Sequence, residues 1–205
     1  LLNRSSDLEN SGTDPGARTI PMTLRIGDKT TEASFTLTVA LKDGEKASTC
    51  ATGVTVANEK DIPAEAAHGN EVSKMLDGKL DTIWHSLWNG TVTLPLDIDF
   101  VVPKSPNLAY ATFTPRSDNS NNGKITKAEL YLVEGDKATR IDKDGIAPDG
   151  TMTFALTKDQ LAGEGTVTLR LRILSTIGDQ NDKFASIAEV CFHNVDTTPP
   201  THDEV

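Results

Sequence analysis

Thr166-Val167-Thr168-Leu169-Arg170-Leu171-Arg172-Ile173-Leu174 alternates apolar and polar side chains almost without a break. Val167, Leu169, Leu171 and Ile173 fall on one side, and Thr168, Arg170, Arg172 and Leu174 on the other. Successive side chains of a strand point to opposite faces, so the stretch reads as a strand with one face on a core. Working outward, the same pattern predicts strands at 92–100, 108–114, 126–133, 151–156 and 187–193. Polar Gly-, Asn- and Asp-rich loops are expected at 115–123, 134–150 and 175–183, and a short helical turn at Val72–Leu76 before Asp77-Gly78. No βαβ alternation, phosphate-binding glycine loop or internal repeat interrupts the series. Short strands at this spacing imply an all-β sandwich or barrel.

The main domain is expected over 50–195. Ahead of it, 20–26 and 34–41 read as two strands around Gly27-Asp28-Lys29, with Phe35, Leu37, Val39 and Leu41 on one face of the second. Two strands cannot bury a face alone. Residues 19–49 are therefore expected to be an N-terminal β hairpin extension or the remnant of a preceding module, with the turn-rich Asp43-Gly44-Glu45-Lys46 separating them from the main domain. Residues 1–18 offer little to bury and read as a disordered leader, and 196–205 as a loose tail. The Leu1-Leu2-Asn3 start without Met is the expectation for a processed or trimmed chain.

Composition narrows the function. Among 205 residues, 20 Lys and Arg stand against 30 Asp and Glu, a formal net charge of −10. That balance excludes a phosphate-neutralising nucleic-acid surface and a grip on anionic lipid. No apolar run is long enough for a transmembrane helix, so no direct membrane insertion is expected. Thr occurs 26 times, many in alternating runs, and β-branched residues suit strands. Cys50 and Cys191 are the two cysteines; they either form a disulfide closing a large loop or are two reduced, buried thiols. Four scattered histidines without HExxH or CxxC argue against zinc.

Several residues could carry chemistry. In Met75-Leu76-Asp77-Gly78-Lys79-Leu80-Asp81-Thr82-Ile83-Trp84-His85-Ser86, Asp77, Asp81 and Thr82 offer hard oxygen donors of the kind calcium takes, or else Asp77 simply caps its own turn. Glu189 interrupts the apolar Ile187-Ala188-Glu189-Val190 and needs a partner, which a metal ion would supply. Trp84, His85 and Trp88 cluster, and at least one indole is expected in the core. Strand alternation then puts His85 outside if Trp84 is inside. Arg116, just past a strand end and after Pro115, has Asp118, Asn121 and Asn122 nearby, a dense donor and acceptor set suited to sugar hydroxyls or to holding its own loop. No nucleophile elbow, positioned carboxylate pair or Cys–His setting is recognisable, so no enzyme is expected.

Taken in order, these pieces resemble the discoidin family, also called the coagulation factor V/VIII type C domain, and its bacterial branch, the family 32 carbohydrate-binding modules. The resemblance rests on Leu76-Asp77-Gly78 with Thr82-Ile83-Trp84-His85-Ser86, on Leu94-Pro95-Leu96-Asp97-Ile98-Asp99-Phe100, and on Phe113-Thr114-Pro115-Arg116. Gly123-Lys124-Ile125-Thr126 into Ala128-Glu129-Leu130-Tyr131-Leu132, then Leu169–Ser175 and Phe184–Val190, complete it over 50–195. It implies a jelly-roll β-sandwich of the galactose-binding-domain type, with termini close together and ligand loops at the opposite end. That makes proximity of Cys50 and Cys191 plausible. It implies one structural calcium held by Asp77, Thr82 and Glu189, with carbonyls around Lys79, Asp81 and Ala188. It implies a sugar site of His85, Arg116 and Asn121 or Asn122, with Phe184 on the sugar face. The expected function is a non-catalytic module for terminal galactose or N-acetylgalactosamine, beside other modules of a larger secreted, outer-surface or periplasmic protein of a Gram-negative, Bacteroides-like bacterium. The alternative is a structural or protein-adhesion module that binds no sugar.

Overall fold

The computed structural model describes residues 16–26, 29–39, 49–89, 92–143, 150–156, 158–178 and 181–195. The chain divides into two compact units, with the boundary between Ala47 and Ser48. In the first, strands β1 (Gly16–Ile26) and β2 (Lys29–Val39) pair antiparallel from Gly16↔Val39 to Ile26↔Lys29. β1 therefore starts inside the segment expected to be a disordered leader. The Gly27-Asp28 turn, the 40–48 stretch, residues 1–15 and the expected tail at 196–205 lie outside the described residues.

The second unit, Ser48–Thr198, carries the sandwich. Its strands are β3 (Thr49–Cys50), β4 (Thr55–Val56), β5 (Trp84–His85), β6 (Leu96–Pro103), β7 (Leu108–Thr114) and β8 (Lys124–Glu134). They continue with β9 (Lys137–Lys143), β10 (Met152–Ala155), β11 (Thr166–Ile177), β12 (Ser186–Ile187) and β13 (Glu189–Asn194). Among the described residues the order is β10-β7-β13-β3 in one sheet and β4-β6-β11-β8-β9 in the other, with β12 paired to β5. A 3₁₀ turn occupies Val72–Leu76 as the sequence predicts.

The alternation of β11 holds in space. Val167, Leu169, Leu171 and Ile173 are buried, and join Ile98, Phe100 and Val102 of β6 and Ala128, Leu130 and Leu132 of β8. The other sheet answers with Ala111 and Phe113 of β7, Met152 and Phe154 of β10, and Val190 and Phe192 of β13. Phe100 bridges the layers, its ring centroid 5.8 Å from Phe113 and 5.6 Å from Phe192. Tilted aromatic pairs at this separation add to what area burial contributes. On the outer face the register sets Arg170 opposite Asp99 and Arg172 opposite Asp97, and both pairs close as two-bond forks at 2.6–2.8 Å. Arg172 also lies 5.1 Å over the Tyr131 ring.

Two readings are corrected. The polar stretch 134–150, expected to be loop, contains β9, which pairs with β8 from Glu134↔Lys137 to Glu129↔Lys143. β9 is the edge of its sheet and needs few apolar side chains; Ile141 packs against the core. The strand expected at 92–100 runs instead over 96–103. Cys50 and Cys191 form a disulfide, Cα atoms 5.1 Å apart, next to the β3–β13 pairing.

Phe100→Ala removes the ring that both sheets share. The expected loss is about 3–5 kcal/mol, read as the change in urea-unfolding free energy of the full chain; a loss below about 1 kcal/mol would show that the layers do not depend on this contact.

Candidate functional site

One end of the sandwich gathers four segments. The extended stretch 63–65 runs beside 85–87, with Leu87 N–H donating to the Pro63 carbonyl at 3.0 Å and Glu65 N–H to the His85 carbonyl at 3.0 Å. Ser86 N–H donates to the Ala185 carbonyl at 2.9 Å, and Ala185 N–H returns to Ser86 Oγ at 3.0 Å. Ser186 reaches the fourth segment, its N–H donating to the Gly123 carbonyl at 2.9 Å and its hydroxyl to the Asn122 carbonyl at 3.0 Å. Gly123 is required here. Its φ is +80°, and a Cβ would stand 2.7 Å from the Ala185 carbonyl carbon.

His85 lies within this cluster and is 2% exposed, while Trp84 is fully buried. The sequence expectation that one would be out if the other is in therefore fails. β5 is two residues long and is covered on both sides, by the core under Trp84 and by the loops around His85. Burial pushes the His85 pKa below the usual histidine value, and the neighbouring Arg116 charge lowers it further, partly offset by the Ser86 carbonyl. The shift favours the neutral ring. Its Nδ1 sits 2.7 Å from the Ser86 carbonyl oxygen and 3.0 Å from Trp88 Nε1. An indole N–H only donates, so Nδ1 accepts from Trp88 in one tautomer and donates to Ser86 in the other.

Trp88 is 49% exposed. His68 stacks on it with ring centroids 4.3 Å apart and planes 25° from parallel. Its backbone N–H donates to Glu65, whose other carboxylate oxygen is 3.4 Å from His68 Nδ1. Phe184 is 9% exposed, with its ring centroid 5.7 Å from that of His85. Trp88 therefore presents much more open aromatic surface than Phe184.

Arg116 follows β7 and is mostly covered. Its Nε and Nη2 donate to the two Asp118 oxygens, each at 2.6 Å, and Nη1 donates to the Asn122 carbonyl at 3.1 Å. Asp118 is held below the usual carboxylate range chiefly by this pairing. A guanidinium has five N–H donors, so these contacts leave one on Nη1 and one on Nη2. Asn122 is half-buried, and Asn121 is exposed on the same loop. The structure thus brings His85, Arg116, Asn122 and Phe184 to one end and adds Trp88, Glu65 and His68. The sequence pointed at Trp88 only through its clustering with Trp84 and His85. Glu65 and His68 carry no signal beyond their separation of three residues, which a 3₁₀ turn at Ala66–His68 puts on one side.

A second cluster joins the 77–82 loop to β13. The Thr82 hydroxyl lies 2.9 Å from both Asp77 carboxylate oxygens and 3.5 Å from the Lys79 carbonyl. Glu189 accepts from Gly78 N–H at 2.8 Å. Burial raises the Glu189 pKa, and Asp77 nearby raises it further. Ala188 is fully buried beside it, and Asp81 is exposed. Among the described residues no three His, Cys, Asp or Glu side chains converge on a common point. Asp77, Glu189, the Thr82 hydroxyl and the Lys79 carbonyl are all hard oxygens, the donor type that calcium takes rather than a softer metal. The Ser117 hydroxyl donates to the Leu80 carbonyl at 3.1 Å, joining this loop to the one that carries Arg116.

No family model matches the chain. A sialidase from Micromonospora viridifaciens is 23% identical over 182 residues, 88% of this chain and 26% of that enzyme. A galactose oxidase from Gibberella zeae is 35% identical over 69 residues, 33% of this chain and 10% of that enzyme. The chain therefore spans about a quarter or less of the length of these curated relatives. Among solved structures, a family 32 carbohydrate-binding module from a family 31 glycoside hydrolase of Clostridium perfringens superposes with a TM-score of 0.53 at 21% identity, over 72% of this chain and 94% of that one. The sandwich of Ser48–Thr198 thus shares the jelly-roll fold of that module.

Gly123→Ala is expected to cost more than about 1 kcal/mol and to loosen the Asn122 carbonyl from Arg116 and Ser186. Hydrogen exchange on 121–124 and 184–187 would show faster exchange; unchanged protection would show that the close approach is not needed.

Proposed function

We propose that the Ser48–Thr198 unit is a non-catalytic carbohydrate-binding module that docks a terminal galactose or N-acetylgalactosamine. The observation that carries this reading is the half-exposed Trp88, its indole N–H directed at the buried, neutral His85 at the end of the sandwich that also holds Arg116. A pyranose presents an apolar face and a rim of hydroxyls. Trp88 offers a ring whose other side is backed by His68, while His85, Asn122 and the two remaining Arg116 donors face hydroxyls. Galactose differs from glucose in an axial hydroxyl, and a donor fork beside an imidazole suits that axial–equatorial pair. The ligand is uncharged, so the net charge of −10 does not oppose it.

The names of the relatives support a setting in sugar chemistry: one is a galactose oxidase, one a sialidase, and a third is an N-acetyl-α-D-galactosamine deacetylase from Flavonifractor plautii. Each is far longer than the matched region, which suits a module that holds an attached protein on its glycan. In this reading the parent protein is secreted or displayed on a bacterial surface. Calcium belongs to the same proposal: Asp77, Thr82, Glu189 and the Lys79 carbonyl would hold it, with Asp81 and Ala188 supplying main-chain oxygen. Bound there it would neutralise two facing carboxylates and pin the 77–82 loop to β13.

A second reading, a structural or protein-adhesion module, is favoured by one observation. Arg116 is already forked onto Asp118, so it can hold its own loop with no ligand present.

Calorimetry on the full chain with galactose, N-acetylgalactosamine and glucose separates the two. A sugar of about a dozen heavy atoms at about 0.3 kcal/mol each gives a Kd on the order of millimolar. Trp88→Ala and His85→Ala should each weaken galactose binding about tenfold or more with the melting temperature retained. No heat with any sugar, or unchanged affinity in both variants, would favour the adhesion reading.

For calcium the test is thermal. At a metal concentration about a hundred times Kd the site adds about 2.7 kcal/mol. Chelation should then lower Tm by about 5–10 °C, and Asp77→Ala should abolish that difference. A Tm indifferent to chelation removes the calcium assignment.

A further inference from the structure

The Cys50–Cys191 bond lies at a mechanically weak place. β3 is two residues long and, among the described residues, pairs only with β13, at Thr49↔Asn194 and Cys50↔His193. One more main-chain bond, Ala51 N–H to the Phe192 carbonyl at 2.7 Å, continues the contact. The pairing is antiparallel, so the chain enters at Thr49 and leaves at Asn194 from the same end of the same pair. Tension between those two points opens the ladder one pair at a time rather than shearing it. A single main-chain hydrogen bond contributes little net stability, so sequential opening meets little resistance. The next hold is β4, two residues paired with β6 at Thr55↔Val101 and Val56↔Phe100, with Ala57 and Asn58 adding bonds to Asp97 and Asp99. Beyond it, Ile62 is a fully buried core side chain. Peeling from the N-terminal side would therefore strip the core early.

We propose that the Cys50–Cys191 disulfide makes this unit a load-bearing link, in which tension along the chain crosses the covalent bond and residues 51–190 stay out of the force path. The bond joins Cys50 of the second pair to Cys191, two residues past that pair's His193 on β13, so unzipping cannot run beyond Cys50 and Cys191. It also serves a pull between the loop end and the N-terminal chain. Such a load arrives on β3, an edge strand of two residues, and the disulfide hands it to β13. β13 pairs with β7 from Glu189 to Asn194 and anchors Val190 and Phe192 in the core. The N-terminal chain is thereby held as firmly as the C-terminal one. The inference stands apart from the sugar reading, since it rests only on the topology and the bond.

The test is force extension of the full chain in optical tweezers, with handles at residues 1 and 205. The bond spans 141 residues, and an extended chain reaches about 3.5 Å per residue. Unfolding with the bond open should release about 490 Å. The oxidised protein should show no step of that size; dithiothreitol added to the folded, tethered protein should make it appear at forces the oxidised protein withstands. Cys50→Ser with Cys191→Ser should behave like the reduced protein, and far-UV circular dichroism checks that it folds. Should the double variant not fold, the reductant jump gives the same comparison alone. A step of about 490 Å in the oxidised protein, or a reduced protein that holds to the same force as the oxidised one, overturns the proposal.

Discussion

The pairing of β7 with β13 positions nearly everything else in the sandwich. Its register sets Glu189 opposite Thr114, so the chain leaving β7 turns into Pro115 and Arg116 where β13 begins. Just before β13 lie Ala185 and Ser186, against which Gly123 packs. The same strand pair puts Val190, Phe192 and Phe113 into the core, and its far end meets β3 and the disulfide. A slip of one residue would turn Val190 and Phe192 outward and Cys191 inward. It would move Glu189 away from Gly78 and undo the core, the acidic corner and the Arg116 loop together.

The electrostatics of the loop end follow from where water is excluded. Arg116 is largely covered, and a covered guanidinium needs a counter-charge. Asp118 supplies it from the same loop, with both oxygens engaged and its own side chain still mostly open. That leaves a neutral Arg116–Asp118 pair whose remaining directional donors are fixed. His85 is kept uncharged by burial beside a cation. Neutral, oriented donors and acceptors next to an indole suit an uncharged polyol and would hold an anion poorly. The acidic surplus of the chain is spent elsewhere. Two of its carboxylates, Asp97 and Asp99, tie β6 to β11 through Arg172 and Arg170 on the outer face.

The sequence showed the parts whose burial follows a period. β11 reads directly from Val167, Leu169, Leu171 and Ile173, and β7 from its bounds 108–114. β9 did not, because an edge strand of Lys137-Ala138-Thr139-Arg140-Ile141-Asp142-Lys143 gains its order from the β8 ladder rather than from its own apolar face. His85 was misread because two-face alternation assumes that one face meets solvent, and a two-residue strand roofed by loops has no such face. Glu189 was legible as a carboxylate in need of a partner, and Gly78 N–H is one. Glu65 and His68 were invisible, since they reach Trp88 only through the fold. The disulfide stayed open at the sequence level because two cysteines far apart in sequence say nothing of distance until β3 and β13 are paired.

The two clusters at the loop end are not independent. Ser117 follows Arg116 directly, and its hydroxyl donates to the Leu80 carbonyl inside the 77–82 loop. Glu189, which holds that loop through Gly78, lies three residues beyond Ser186, whose hydroxyl holds the Asn122 carbonyl that Arg116 also uses. The Arg116 loop is thus fixed from both sides, by the acidic loop at Ser117 and by the start of β13 at Asn122. In the proposed function, ordering the acidic loop would reduce the freedom that Arg116 gives up on meeting a sugar. In that same proposed function, a cation there would act on recognition without touching the sugar, through two hydroxyls and two carbonyls rather than through charge.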